Sequence, residues 1–463
     1  MSLVDRLDAL AREKQARIER LLAENAGLIR RASDLPALPS RDDRVLSVEE
    51  LFPESARIGN GHGAVITCIS TVPVTPAPDT SHPRGYRFAP APDVRSHSPE
   101  SLATALKFLS GNEAFCSISL DRIAFVDTET TGVSGATGTY PFLIGLGFFR
   151  LNGESLEGAE FVCEQYFMED YCHEPAILAH FADRLAQFEA IVSYNGKTYD
   201  LPLLEARYIL NRRRVRLDLP HLDLLNVTRR VYKPRLGACN LANIEREVLG
   251  IARTHDVPGH LIPQIYFDFL RGLGRERLVP VFDHNVQDIV TLGALLLLLA
   301  ECAAAPGHPA LGDAQDLAAF GRFHHRRRQY GPAAQFLEQA ITVARDGGIA
   351  NAALCDLANA YRRLGRIGDA AAIWRQEYAR SGLRNPAAVI ELMKILEHQL
   401  RDCEGALALV EDVYSQAALH RGLGAYNNSF HEPALDALLA DLERRRERLA
   451  ARRERRAKQK GGR

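Results

Sequence analysis

Net charge is nearly absent from this chain: 57 Lys and Arg stand against 58 Asp and Glu, a formal −1 at pH 7. That excludes a protein that coats nucleic acid over its whole surface; any such binding has to use local patches. Paired cysteines are absent too. Cys68, Cys116, Cys163, Cys172, Cys239, Cys302, Cys355 and Cys403 are scattered and form no CxxC. A zinc knuckle or a dithiol redox motif is thereby excluded, and reduced, mostly buried thiols are expected. No apolar run is long enough to span a bilayer; Leu292 to Ala305 comes up short. Met1 to Arg30 is charged throughout and lacks the apolar stretch of a signal peptide. The expectation is a soluble cytoplasmic protein with no membrane partner.

What is present begins with Asp127-Thr128-Glu129-Thr130-Thr131-Gly132, which follows the apolar run Ile123-Ala124-Phe125-Val126. That run reads as a buried strand. Residues two apart on a strand share a face, so Asp127 and Glu129 point the same way. Two carboxylates forced together repel unless a cation lies between them. Hard oxygen ligands of this kind suit Mg²⁺ or Mn²⁺. Two more acidic segments follow. Ile191 to Ser193 reads as a short strand, Asn195-Gly196 as a turn, and Asp200 as the start of a helix. His284 and Asp288, four apart, share one face of a helix that runs on through Ile289 to Leu299.

These three motifs resemble those of the DEDD exonucleases of the ribonuclease H-like superfamily, most closely its YprB-like branch. The resemblance extends over roughly residues 59–304 and includes Phe142-Leu143-Ile144-Gly145-Leu146-Gly147, His221-Leu222-Asp223-Leu224-Leu225 and Asp256-Val257-Pro258-Gly259. It also includes the glycine-rich loop Ser134 to Thr139. It implies an α/β fold: a ribonuclease H-like mixed sheet flanked by helices. It implies that Asp127, Glu129, Asp200 and Asp288 hold two divalent cations, Mg²⁺ or Mn²⁺, and that the reaction is 3′-to-5′ hydrolysis of DNA or RNA. The familiar subclasses carry a tyrosine four residues before the last aspartate or a histidine five before it. Here a histidine, His284, stands at the tyrosine spacing, so the chain fits neither subclass.

With that resemblance the chain divides as follows. Residues 1–33 form an amphipathic helix and 34–115 an N-terminal extension with a Pro/Ser-rich loop. Residues 116–305 form the exonuclease domain, 313–420 an all-α set of tetratricopeptide-like repeats, and 421–463 a basic C-terminal helix or tail. The strands are placed at Ile123–Thr128, Phe142–Arg150, Leu156–Phe167 and Ala190–Ser193, with a helix over Pro175–Phe188. The repeats rest on the likeness of Tyr330-Gly331-Pro332-Ala333-Ala334 to Ile367-Gly368-Asp369-Ala370-Ala371 and to Cys403-Glu404-Gly405-Ala406. Such arrays present a face to a protein partner.

In the mechanism these residues suggest, Asp127 bridges both ions, Asp288 serves the ion that activates water, and His284 orients or deprotonates that water. Thr130, Gly132, Asn195 and Lys197 flank the carboxylates and are candidates for substrate contact. Arg212, Arg213 and Arg214, with Arg207 nearby, form the candidate phosphate patch. Gly196-Lys197-Thr198 is not a phosphate-binding loop, since Ile191 stands where that loop needs glycine. His255-Asp256 reads as a turn pair. Two other functions compete: a non-catalytic nucleic-acid-binding adaptor, and a structure-specific endonuclease on the same fold.

Overall fold

The computed structural model describes residues 46–74, 98–132, 138–153, 155–215, 217–253, 256–422 and 432–461. The expected helix at 1–33, most of the Pro/Ser-rich loop and residues 134–137 of the glycine-rich loop lie outside the described residues.

Strand geometry explains how one strand serves two cores. In β3 (Ile123–Thr130), Ile123 and Phe125 enter the apolar cluster on one sheet face, and Ala124 and Val126 the cluster on the other. A strand apolar on both faces belongs at the centre of a sheet, and β3 is central. On one side it pairs antiparallel with β4 (Pro141–Asn152), which pairs antiparallel with β5 (Ser155–Phe167). On the other it pairs parallel with β6 (Ala190–Ser193), which pairs parallel with β7 (His221–Asp223). β1 (Ala56–Asn60) and β2 (Gly63–Pro73) form a hairpin that extends the antiparallel side, giving the order β1-β2-β5-β4-β3-β6-β7. Two strands of the 34–115 stretch therefore belong to the sheet itself. They cover the edge of β5, whose backbone groups would otherwise stand unpaired.

The helices of this region are α1 (Pro99–Ser110), α2 (Glu174–Leu185), α3 (Asp200–Leu210), α4 (Leu224–Val231), α5 (Ile262–Leu270) and α6 (Val279–Ala304). α2, α3 and α5 pack on one face of the sheet; α1, α4 and most of α6 pack on the other. This is the mixed sheet flanked by helices that the sequence motifs led us to expect. The element ends differ in detail. β3 continues through Glu129 and Thr130, and α6 begins ten residues before Ile289, so His284 and Asp288 lie within it.

α6 belongs to a longer apolar stretch than the run Leu292 to Ala305 counted along the sequence. The helical stretch Arg275–Ala304 is long and apolar enough, by length and composition, to cross a bilayer, and 89% of its most apolar window is buried inside the protein. A helix apolar all round is what a position between a sheet and further helices demands. Those further helices are α7 (Ala314–Arg326), α8 (Tyr330–Val343), α9 (Gly347–Arg363), α10 (Ile367–Ser381), α11 (Pro386–Lys394), α12 (Cys403–Gly422) and α13 (Glu432–Gly461). Successive helices pack on one another, and Gly331, Gly368 and Gly405 each fall in the first turn of the second helix of a pair. Their apolar residues join the cluster that covers α6. Polar ties reinforce the junction: Arg235 reaches the buried Asp316 at 2.7 Å, and Arg327 Nε donates to the Phe108 carbonyl at 3.0 Å. In the basic α13, Arg448 holds the buried Glu397 through two hydrogen bonds of 2.9 and 2.8 Å. All eight cysteines are free thiols; Cys116 and Cys172 are exposed.

The approach of α6 to the sheet depends on two glycines of β4. Gly145 lies opposite Asp127 and Gly147 opposite Phe125. A Cβ on Gly145 would come within 2.1 Å of Ile289 Cδ1 and 2.4 Å of Asn285 Oδ1. One on Gly147 would lie 2.4 Å from Ile289 Cγ2 and 2.7 Å from the Phe161 ring. The pair forms a trough into which α6 settles, one residue away from the carboxylates of β3. Gly145→Ala is therefore expected to lower stability by about 1–3 kcal/mol, as overpacking does. Gly59→Ala, whose Cβ meets open space, is expected to change little. Denaturant midpoints measure both, and matching midpoints for the two variants would show that the trough is not needed.

Candidate active site

Asp127 and Glu129 share the β3 face that carries Ile123 and Phe125, the face on which α6 lies. Asn285 of α6, fully buried, donates from Nδ2 to Asp127 Oδ2 at 2.9 Å. Gln165 of β5 sets the direction of that amide: its Nε2 donates to Asn285 Oδ1 at 3.0 Å and to the Phe282 carbonyl at 3.0 Å. With its oxygen so occupied, Asn285 can offer only its NH₂ to Asp127.

Asp200 opens α3 and is buried. A carboxylate there is favoured by the exposed N–H groups of a first helical turn. Its Oδ1 accepts a hydrogen bond from the Thr128 hydroxyl. The turn before α3 is fixed by Asp223 at the end of β7. Asp223 accepts from the backbone N–H of Asn195 at 2.8 Å, of Lys197 at 3.2 Å and of Leu225 at 3.1 Å. Asn195 has φ of 69°, a left-handed conformation that asparagine adopts more readily than most side chains.

From α6, His284 Nε2 lies 3.8 Å from Glu129 Oε1 and 3.7 Å from Asp288 Oδ2. Its Nδ1 lies 2.6 Å from Asp256 Oδ1. Asp256 is therefore a partner of the site histidine, where the sequence suggested only a turn residue. A second participant, Arg253, was not anticipated at all. Its guanidinium donates to Asp288, to Asp256 at 3.3 Å, and to Glu245 at 2.5 and 2.7 Å.

The electrostatics follow from crowding. Burial, and then the charges of Asp288, Asp200 and Glu129, raise the Asp127 carboxyl well above its ordinary range. Burial raises Glu129 to about 7, with His284 opposing and Asp288 and Asp200 assisting. Burial raises Asp200 to about 6 against the hydrogen bond from Thr128. Burial would lower His284, but the hydrogen bond to Asp256 and the charges of Asp288 and Glu129 outweigh it and bring it to about 9. With Nδ1 directed at Asp256, its Nε2 is the nitrogen that faces Glu129 and Asp288.

Four carboxylates brought into one buried place offer the hard oxygen donors that a divalent cation takes, so the donor chemistry fits. Each one nevertheless faces a partner from the protein: Asn285 on Asp127, Thr128 on Asp200, Arg253 on Asp288, His284 toward Glu129. Among the described residues no three His, Cys, Asp or Glu side chains are gathered closely enough to hold an ion in this conformation.

The other sequence candidates fall in three places. Thr130 is buried, and its hydroxyl lies 2.7 Å from the Gly132 carbonyl and 2.8 Å from the Tyr199 hydroxyl, so it ties the strand end to the turn before α3. Asn195 and Lys197 are exposed beside Asp200. Arg212, Arg213 and Arg214 follow the far end of α3, roughly 17 Å from Asp200 at 1.5 Å per residue. There Arg213 Nη2 contacts His62 Nε2 at 2.6 Å. Arg207 is not a phosphate ligand: it is buried and paired with the buried Glu174 at 2.5 and 2.7 Å.

Residues 124–300 match the model of a family described as the RNase_H superfamily. The chain is 30% identical to "Uncharacterized protein YprB" of Bacillus subtilis (strain 168) over 302 residues, which cover 64% of this chain and 70% of that protein. Among solved structures, the family B DNA polymerase of the hyperthermophilic archaeon Pyrobaculum calidifontis is similar at a TM-score of 0.30 and 14% identity. That match covers 44% of this chain and 29% of the polymerase, too slight a likeness to bear on function.

Two outcomes test this framework. Asp223→Ala leaves three backbone N–H groups short of an acceptor and is expected to cost about 1–3 kcal/mol in denaturant unfolding; an unchanged midpoint would remove Asp223 from its anchoring role. The second concerns His221, whose Nε2 lies 2.7 Å from Ser193 Oγ. Burial, then Lys197, lowers it to about 4. The unfolded chain takes up this proton near 6.5, before the folded one does. Stability is therefore expected to fall as pH drops from 6.5 toward 4. His221→Gln should flatten that decline, and an identical slope in the variant would rule it out.

Proposed function

The chain belongs to the RNase H superfamily, among the relatives of Bacillus subtilis YprB, and we propose that it is a metal-dependent nuclease of DEDD type, hydrolysing DNA or RNA from the 3′ end. The superfamily supports a nuclease in general. The observation that carries the finer reading is the meeting of Asp127, Glu129, Asp200 and Asp288 from three elements, with Asp288 and Asp200 acting on the ionisation of both Asp127 and Glu129. Mutual repulsion of that kind in a buried site has no structural benefit. It is relieved when cations are held there.

In this reading Asp127, Glu129, Asp200 and Asp288 would hold two divalent ions, Mg²⁺ or Mn²⁺. Bound there, such ions supply charge for the phosphate and lower the pKa of water. The chain's own groups do the rest. Asn285, fixed by Gln165, holds one oxygen of Asp127 and leaves the other free to ligate. Thr128 does the same for Asp200. His284, braced by Asp256, faces both Glu129 and Asp288 and is placed to orient the attacking water or to exchange a proton with it. Asn195 and Lys197, exposed beside Asp200, are the side chains we assign to the substrate. The arginines after α3 would reach only a strand that continues past His62.

The decisive experiment is hydrolysis of 3′-labelled and 5′-labelled single-stranded DNA and RNA in Mg²⁺ or Mn²⁺, beside Asp127→Asn. Metal-dependent product ladders are expected, with activity reduced at least about a hundredfold in the variant. Cleavage of circular substrates would turn the reading toward an endonuclease. A variant as active as the parent would remove the carboxylates from the mechanism. No cleavage by either protein would favour the nucleic-acid-binding adaptor.

A further inference from the structure

We propose that Arg253 is a built-in placeholder cation: it occupies Asp288 in the resting protein and gives that carboxylate up to a divalent ion. This rests on the reading of the four carboxylates as an ion site. It goes beyond that reading by naming what a second ion must displace.

Geometry carries the inference. Arg253 follows the turn Glu245–Leu249, which is wound one residue wider than an α-helix, a form that recurs at functional sites. Its Nε and Nη2 engage both oxygens of Glu245, at 2.5 and 2.7 Å. Glu245 is 1% exposed and also accepts from the Thr291 hydroxyl at 2.5 Å. This two-pronged contact is the firm one; such forks are the strongest arginine–carboxylate pairings. The remaining face of the guanidinium reaches outward to Asp288 and, through Nη1, to Asp256 at 3.3 Å. Nη1 also lies 3.2 Å from His284 Nδ1. That nitrogen is directed at Asp256, so this is a contact between two donors.

An arginine held in this way can lose Asp288 without becoming an unpaired buried charge, because Glu245 keeps it. Asp288 has no such alternative. One of its oxygens is bound by Arg253 and the other faces His284. While Arg253 stays, Asp288 is neutralised and its ligating capacity is halved. A divalent ion would bring twice the charge to the Asp288 carboxylate, so exchange would be favourable once the ion is present. After exchange Nη1 of Arg253 keeps Asp256, and the N–H of Nη2 that Asp288 held is left beside the ion site, placed to receive a phosphate oxygen.

The test is Mn²⁺ titration of the full chain, following free Mn²⁺ by electron paramagnetic resonance. Arg253→Gln alone strands Glu245 as a buried charge, so the informative variant is E245Q/R253Q, which removes both charges and keeps similar shapes. Its expected result is one additional Mn²⁺ per chain, or roughly tenfold or tighter binding, relative to the parent. Asp127→Asn is the control and is expected to bind Mn²⁺ more weakly than the parent. If the double variant and the parent titrate alike while Asp127→Asn is weakened, the placeholder role is overturned and the ion site stands. If Asp127→Asn titrates like the parent, the ions lie elsewhere, and the site reading falls together with the proposal.

Discussion

Like charges held in one place, with little water to screen them, are the constraint on which this structure turns. Asp127 and Glu129 cannot avoid each other, because strand geometry directs alternate side chains to one face. Asp200 and Asp288 are then brought in by two helices. The protein answers with partners on every carboxylate: an amide, a hydroxyl, a histidine ring and a guanidinium. These partners are buried or half-buried, and they are themselves supported by Gln165, Asp256 and Glu245. Such a layer is what a precisely positioned ligand set requires.

The architecture can be understood as the means of holding that arrangement. α6 must lie close to β3, and the Gly145 and Gly147 trough permits it. Beyond Asp288 the helix is covered by the C-terminal helices as well as by the sheet, which explains why that part is apolar on all sides. The parallel strands β6 and β7 deliver the other side. Asp223 at the end of β7 grips the turn that starts α3, so the position of Asp200 depends on a residue in the next strand. The hairpin β1–β2 shields the far edge of the sheet, well away from the carboxylates.

Much of this could be read along the chain, because it rests on local rules. The alternation of Ile123 to Glu129, the Asn195-Gly196 turn before Asp200 and the four-residue spacing of His284 and Asp288 each express a backbone period. The family resemblance joined those fragments into one site. What could not be read were the partners. Arg253 sits in a stretch with no regular pattern, Glu245 in an unusual helical turn, and Gln165 on a strand where it resembles any other polar residue. The Arg207 reading failed for the same reason. An arginine near a candidate ligand is expected to meet phosphate, whereas α3 turns this one inward to the buried Glu174.

The order of residues sets the chemical inventory: which residues bear carboxylates, which runs form strands and helices, and which of them share a face. Those properties follow from residue type and from the periods of the backbone. Tertiary structure alone decided the pairing, namely that Asn285 reaches Asp127 across 158 positions of chain and that an arginine, not only a metal, has a claim on Asp288. Hydrogen bonds are made or lost within a few tenths of an ångström, a precision that no local pattern carries. It also decided the direction in which His284 is shifted, since a histidine's charge at neutral pH depends on which carboxylates surround it and how much water they exclude.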